Sequence, residues 1–220
     1  MEERKRSDER KISKAVIRRL PRYYRFLSEL YERETERISS KELSRLMGLT
    51  ASQIRQDLNN FGEFGLQGYG YNVAYLKDEI GKVLGINKVH RMILIGAGNL
   101  GQAIVKYGGF TNKGFIFTAV FDYNPNRTGE IFGSHPIRHL DTLAQYLEEN
   151  PVDVVVLTVP KRAVADIVKI ASRRRNIGIW NFASMDIKPE PGMTVENVHL
   201  SDSLMRLSYN LKTDREMQRD

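Results

Sequence analysis

The chain contains no cysteine. A disulfide framework, a zinc–thiolate site and a thiol redox switch are therefore excluded, and any redox response has to pass through a bound molecule. No apolar run approaches membrane-spanning length, and the start is charged rather than of signal-peptide type, which sets the expectation of a soluble cytoplasmic protein. Histidine is scarce: His90, His135, His139 and His199 are the only four. Along the sequence they form no recognisable catalytic set with an acid or a lysine, so each reads as a surface or structural residue. Acidic residues are outnumbered, 27 against 34 Lys and Arg, for a net charge of +7. That sign favours a polyanionic partner. The excess is concentrated at the start, where residues 1–27 hold ten Lys/Arg and four Asp/Glu. A charge run by itself is also what a solvated helix face shows, so the motifs have to decide. With 220 residues, 41% of them hydrophobic, the chain can build two small domains with real cores or one large one.

Residues 1–10 are charged and read as a frayed arm. From Ser13 to about Arg33, Val16, Ile17, Leu20, Tyr23, Tyr24, Leu27, Leu30 and Tyr31 fall three and four apart, one face of a helix. Pro21 interrupts that pattern and places the stable helix start there, with the proline in its first turn. Ser39 and Glu42 have capping-box spacing, Leu43 and Leu46 give a short apolar face, and Gly48 suits a left-handed helix end. Thr50 opens a second helix, to about Asn60, with Gln53 at the capping-partner position. Helix, glycine turn, helix is the helix-turn-helix plan. Ile54, Leu58 and Phe61 can face its core. Ser52, Gln53, Arg55, Gln56, Asn59 and Asn60 remain on the other faces, donor-rich side chains of the kind that read base edges or grip phosphates. The segment Phe61–Tyr71 then alternates glycines with aromatics and suits a tight β-hairpin. After a recognition helix such a hairpin is a wing, which lies against the DNA backbone or minor groove.

The second half changes character. Met92–Ile95 is a continuous apolar run, as a buried parallel strand should be. Gly96-Ala97-Gly98-Asn99-Leu100-Gly101 follows at once, and Gln102 to Tyr107 reads as helix. Three glycines at these offsets are weak evidence alone. Their place between strand and helix strengthens them, and so does a second strand, about Phe115 to Phe121, ending in Asp122, where an acid can bond the adenosine ribose hydroxyls. Gly96 allows the tight turn, Gly98 lets a pyrophosphate approach, and Gly101 lets helix and strand pack closely. The helix N-terminus offers N–H groups to the phosphates. Asp122 would repel a 2′-phosphate, which predicts NAD(H) over NADP(H). Strand–helix alternation continues: helix Leu140–Glu149 capped by Asp141, strand Val152–Thr158, helix Lys161–Arg175, strand Ile177–Phe182. This predicts a doubly wound parallel sheet with ligands beyond the carboxyl ends of its strands. Thr158-Val159-Pro160 and Asn181-Phe182-Ala183 sit at two such ends. Leu200, Leu204, Leu207 and Leu211 form an apolar stripe on a last helix.

Ile54-Arg55-Gln56-Asp57-Leu58, with Phe61-Gly62-Glu63-Phe64-Gly65 and Gly68-Tyr69-Gly70-Tyr71, resembles the signature of the Rex family of redox-sensing repressors. Arg19-Leu20-Pro21-Arg22-Tyr23-Tyr24-Arg25-Phe26-Leu27 resembles that family's first helix. The resemblance covers about Arg19 to Leu211. It departs at Gln56, where the family often has a basic residue, at Asn59-Asn60, which replace the usual Ser-Tyr, and at His199, where an aspartate is usual.

The resemblance implies an α/β Rossmann domain, residues 86–198, with a parallel sheet, preceded by an N-terminal winged-helix DNA-binding domain, residues 1–80. It also implies a C-terminal helix, 199–213, swapped across a homodimer. It implies NAD(H) held by Gly96, Ala97, Gly98, Asn99, Leu100, Gly101 and Asp122, with Thr158, Val159, Pro160, Asn181 and Phe182 on the nicotinamide side. It implies an inverted-repeat operator in double-stranded DNA, contacted by Ser52, Gln53, Arg55, Gln56, Asn59 and, from the wing, Gln67 and Tyr69. Lys14, Arg18, Arg19 and Arg22 add phosphate contacts. NADH is expected to release the DNA and NAD⁺ to permit binding. Three alternatives remain at this point: an NAD-dependent dehydrogenase with a basic extension, a CoA-binding domain, and a DNA-binding protein whose Rossmann fold only supports dimerisation.

Overall fold

The computed structural model describes residues 12–59, 65–66 and 70–217. The chain divides into two compact units, 1–88 and 89–220.

The first unit contains α1 (Lys14–Glu32), β1 (Arg37–Ile38), α2 (Ser40–Met47), α3 (Ala51–Leu58), β2 (Gly65–Leu66), β3 (Gly70–Asn72) and α4 (Val73–Leu84). Helix α1 starts seven residues before Pro21, capped by the Ser13 side chain, which accepts the Val16 N–H at 3.3 Å. The proline was expected to set the start and does not. The buried stripe Val16, Leu20, Tyr23 and Leu27 runs straight past it, while Pro21 itself faces outward. The carbonyl that loses its partner there can be solvated, so tertiary burial overrides the local break.

Helix α2 opens on the expected capping box and ends at Gly48 in the left-handed conformation. Helix α3 is capped by Thr50, whose hydroxyl accepts the Gln53 N–H at 3.2 Å. The reciprocal half of a box is missing there, because the Gln53 amide reaches Asp57 instead. Strands β1 and β2 pair antiparallel with β3, one on each side. Among the described residues, four helices and a small sheet, with a hairpin after the second helix of the turn motif, make a winged helix. Residues 60–64 and 67–69, including Asn60, Gln67 and Tyr69, lie outside the described residues, as does the basic arm 1–11.

The second unit has a seven-stranded sheet. Its strands are β4 (His90–Ile95), β5 (Phe115–Asp122), β6 (Ile131–Phe132), β7 (His135–His139), β8 (Val154–Leu157), β9 (Ile177–Asn181) and β10 (Met193–Asn197), in the order β10-β9-β8-β4-β5-β7-β6. All pairings are parallel except β6 with β7. The helices are α5 (Asn99–Lys106), α6 (Leu143–Glu149), α7 (Lys161–Ala171) and α8 (Leu200–Met217).

The chain winds outward from β4 in one direction and then from β8 in the other, so the strand order reverses between these neighbours. That crevice is where ligands of doubly wound sheets bind. One face of the sheet packs α6 and α7 through Leu143, Leu147, Val164 and Ile167, and the other packs Ile104 of α5. Helix α5 begins at Asn99, three residues before the sequence suggested, so Gly101 lies inside it. Asp141 does not cap α6: a short 3₁₀ turn at Leu140–Thr142 precedes that helix, and its cap is the His139 ring accepting the Asp141 N–H.

Candidate DNA-reading helix and dinucleotide crevice

On α3, Ser52, Arg55, Gln56 and Asn59 are exposed. Arg55 donates to Ser40 Oγ at the start of α2, at 3.2 Å, so its guanidinium rests on the solvent side of the motif. Gln53 is different. Its amide nitrogen donates to Asp57 Oδ1 at 2.8 Å. Arg19, expected among the phosphate contacts, also turns inward: Nε and Nη2 donate to Asp57 Oδ2 and Oδ1, both at 2.7 Å. Tyr23 donates its hydroxyl to Asp57 Oδ2 at 3.0 Å. The remaining basic candidates on α1, Lys14, Arg18 and Arg22, stay exposed.

Asp57 is buried. Burial pushes its carboxyl upward, but the hydrogen bonds from Arg19, Gln53 and Tyr23 outweigh that and hold it below the ordinary carboxylate value. Burial pushes the Tyr23 hydroxyl well above its ordinary value, so it remains a donor. The sequence carried a signal for this network. Asp57 falls on the same stripe as Ile54 and Leu58, and an acid on an apolar stripe needs partners.

In the second unit Gly96 closes the turn after β4 with φ +104°, and a Cβ there would come within 2.5 Å of the Thr158 carbonyl oxygen. This is the close approach of the loops after β4 and β8 at the switch point. A Cβ on Gly101 would strike the Gly96 carbonyl and come within 2.9 Å of Leu94 Cδ2. Gly98, at the N-terminus of α5, has open space where its Cβ would be. Asn99 and Leu100 beside it are exposed, while Ala97 is buried.

Asp122 ends β5 with its carboxylate turned onto the glycine loop. Oδ2 accepts the Ala97 N–H at 2.7 Å and Oδ1 the Asn124 N–H at 2.9 Å. A carboxylate has about four acceptor positions; these bonds take two of them, and Asp122 is 7% exposed. Arg127, which sequence reading missed, clamps the same loop from the other side by donating to the Ala97 carbonyl and pairs with Glu130 at 3.0 Å. Nothing in the linear sequence marks it, because its partner is a main-chain oxygen thirty residues away. The open cradle over Gly98, the N–H groups of α5 and the Asp122 carboxylate fit a dinucleotide.

At the ends of β8 and β9 the residues divide. Thr158 donates its hydroxyl to the Gly96 carbonyl at 2.7 Å and remains partly exposed, as does Val159, and Pro160 is exposed at the start of α7. Phe182 is half-buried, edge-to-face with Trp180 at 4.7 Å. Asn181 is fully buried. It donates to the Met185 carbonyl at 2.7 Å and to Asn197 Oδ1 at 2.8 Å, and accepts the Ala183 N–H at 3.0 Å. Its amide joins the end of β9 to the loop that follows and to the end of β10.

Two of the four histidines, both partly exposed, lie beside acids. His199 Nε2 lies 2.8 Å from Asp186 Oδ1, a hydrogen bond that raises the His199 pKa, and His139 Nδ1 lies 3.2 Å from the Asp141 carboxylate. Asp141 is two residues from His139 in the sequence, whereas Asp186 comes from a loop thirteen residues before His199. On α8, Leu200, Leu204, Leu207 and Leu211 are between 49% and 67% exposed, an apolar stripe left uncovered within its own unit.

Among known families, residues 11–59 match the one described as "Putative DNA-binding protein N-terminus", and residues 87–185 match the "CoA binding domain". The redox-sensing transcriptional repressor Rex of Clostridioides difficile is 50% identical over 201 residues, covering 91% of this chain and 96% of that protein. The crystal structure of RSP in complex with β-NAD⁺ and operator DNA superposes with a TM-score of 0.86 at 46% identity, covering 94% of this chain and 96% of the other. RSP in complex with β-NADH gives a TM-score of 0.85 at 43% identity, covering 94% and 98%.

Proposed function

The chain belongs to the Rex family of redox-sensing transcriptional repressors, and from that membership we propose how its residues divide the work. The protein is a repressor that binds operator DNA under the control of NAD(H). The winged helix, residues 1–80, reads the operator, residues 86–198 hold the dinucleotide, and residues 199–213 make a helix that crosses to a second subunit. Two subunits place two copies of α3 in successive major grooves of an inverted repeat. Ser52, Arg55, Gln56 and Asn59 face the bases and nearby phosphates, helped by Gln67 and Tyr69 of the wing, and Lys14, Arg18 and Arg22 add phosphate contacts. The uncovered leucines of α8 supply the dimer contact. We read the protein as a binding protein of the cytoplasm rather than an enzyme, in line with the repressor names of its relatives.

One observation carries the ligand assignment. The N-terminus of α5 lies under open space at Gly98, at the switch point, with the Asp122 carboxylate at the end of the adjacent strand. Gly96, Ala97, Gly98, Asn99, Leu100 and Gly101 hold the pyrophosphate with main-chain N–H groups. Asp122 accepts the ribose hydroxyls and disfavours a 2′-phosphate. When bound, the dinucleotide supplies a nicotinamide ring that is charged and planar when oxidised and neutral when reduced. Thr158, Val159, Pro160 and Phe182 form the wall that prefers one of these. A ligand shifts a two-state dimer only by its differential affinity, and a hundredfold preference is worth about 2.7 kcal/mol per site. NADH releases the operator and NAD⁺ permits binding.

The test is fluorescence anisotropy of a labelled duplex from the protein's own promoter region, titrated with NADH at fixed NAD⁺. Release by NADH, resisted by excess NAD⁺, is expected. Equal effects of the two nucleotides would refute the mechanism. The match of residues 87–185 to a CoA-binding family favours one second reading. CoA displacing NADH from the protein would support it.

A further inference from the structure

Helix α3 is only eight residues long and buries two aliphatic side chains, Ile54 and Leu58. Two anchors four residues apart hold a helix down but leave its roll about its own axis weakly fixed, because apolar contact is non-directional. For a helix that presents polar side chains to base edges, roll is the coordinate that matters: each residue is about 100° from the next. The third buried residue on that stripe is Asp57. It takes a planar, two-bond fork from Arg19 and a bond from Tyr23, both on α1 and one turn apart, and a further bond from Gln53 on α3 itself. Bidentate guanidinium–carboxylate pairs are directional in a way hydrocarbon contacts are not.

We propose that Asp57 is the positioning residue of the recognition helix, a buried ionic key that sets the roll of α3 against α1 and thereby aims Arg55 and Gln56 at the operator. The inference rests on the DNA-binding reading given above. It assigns Arg19 and Gln53 a place behind the helix rather than on the DNA. It also accounts for the ion pair in energetic terms. Replacing a buried pair by hydrocarbon of similar size is often neutral or stabilising, so stability alone gives no reason for this network, whereas directional alignment does.

The triple variant Arg19→Met, Tyr23→Phe, Asp57→Leu separates the two roles. It removes one positive and one negative charge, so the net charge is unchanged. Thermal melting monitored by circular dichroism reports folding. Affinity for the operator duplex and for a scrambled duplex of equal length, over a series of salt concentrations, reports recognition. The expected result is a melting point no lower than that of the unmodified protein, unchanged binding and salt slope on the scrambled duplex, and a fall of about tenfold or more in the operator-to-scrambled ratio, the effect of misreading about one base pair.

The single variant Arg19→Lys keeps the charge but loses the fork. It covers the case in which the triple variant does not fold, and its ratio should fall about threefold with the salt slope intact. A folded triple variant with an undiminished ratio overturns the proposal. So does Arg19→Lys with an undiminished ratio. A salt slope shallower by about one in the triple variant, with the ratio kept, also overturns it, since Arg19 would then be a phosphate contact. Absence of operator preference in the unmodified chain instead removes the DNA-binding reading on which the inference stands.

Discussion

Gly98 and Gly101 sit three residues apart in one loop and helix, yet the structure predicts opposite consequences when each becomes alanine. At Gly98 a Cβ meets nothing within 4 Å, and the backbone, at φ −79° and ψ −172°, is extended and open to any residue. Alanine is a poorer N-cap than glycine by some tenths of a kcal/mol, while the stiffer unfolded chain returns about 0.4–1 kcal/mol. The net change in stability is within about 0.5 kcal/mol of zero. The new methyl occupies the space assigned to the pyrophosphate, so NADH affinity should fall at least about tenfold, or about 1.4 kcal/mol.

At Gly101 the Cβ strikes the Gly96 carbonyl and crowds Thr158 Oγ1 at 3.0 Å. A backbone carbonyl cannot rotate away. Overpacking of about 3 kcal/mol outweighs the ~1 kcal/mol of helix propensity gained, leaving a loss of about 2 kcal/mol. For a chain of this size that lowers the melting point by about 4–8 °C. Calorimetry and NADH fluorescence titration on both variants read these numbers. The Gly98→Ala protein should melt with the unmodified one, bind operator without nucleotide, and fail to release it on adding NADH. If Gly98→Ala melts as early as Gly101→Ala, or keeps its NADH affinity, the cradle has been misassigned.

Asp122→Asn should weaken NADH binding about tenfold or more and narrow the discrimination against NADPH, read by competition titration. Its amide cannot accept both the Ala97 and the Asn124 N–H groups, so the loop loosens as well. Because the Asp57 carboxyl is held below its unfolded value, its contribution is complete above that value and is lost as pH falls through the lower folded one. Acid unfolding of the N-terminal unit should therefore be less steep in Asp57→Asn, as followed by far-ultraviolet dichroism. His199 runs the other way: its partner Asp186 raises its pKa above 6.5, so the charged pair is complete below that pH and is lost as pH rises through the raised value. An NMR titration should show this, and Asp186→Asn should return His199 toward its ordinary value. Leu204→Glu with Leu207→Glu should turn a dimer into a monomer in sedimentation velocity, without unfolding the second unit, whose core these residues do not enter.

Much of the fold was legible because its signals are local. Ser39, Glu42, Gly48 and Thr50 announce the helix-turn-helix, each through a partner within four residues of it. The strand after Arg91 and the glycines that follow announce the switch-point loop in the same way. What was misread depended on tertiary context. Pro21 looked like a helix start because its lost hydrogen bond is local, whereas the burial of Val16 and Leu20 that carries the helix past it is not. Strands β7 and β10 escaped notice because each lies toward a side of the sheet. There outward residues such as Arg138, Thr194 and Glu196 break the apolar run that marks the central strands β4 and β8.

The candidate site divides along a related line. Glycines are legible because their requirement is steric and their place in the strand–turn–helix sequence fixes what they meet. Polar side chains are less so, because residue type does not say whether donors and acceptors are aimed at a ligand or consumed by the fold. Gln53, Arg19 and Asn181 all have the chemistry of contact residues, and each is engaged within the fold: the first two give bonds to the buried Asp57, and Asn181, itself buried, gives bonds to the Met185 carbonyl and to Asn197. In each case a buried polar group, Asp57 or Asn181, has to be satisfied. A polar residue of a recognition motif can therefore be assigned to the ligand only after the buried groups near it have been given their own partners. By that order Arg55, exposed on α3, is a stronger candidate for reading DNA than Gln53, and Phe182, half-buried at the end of β9, a stronger one for sensing the nicotinamide than the Asn181 amide.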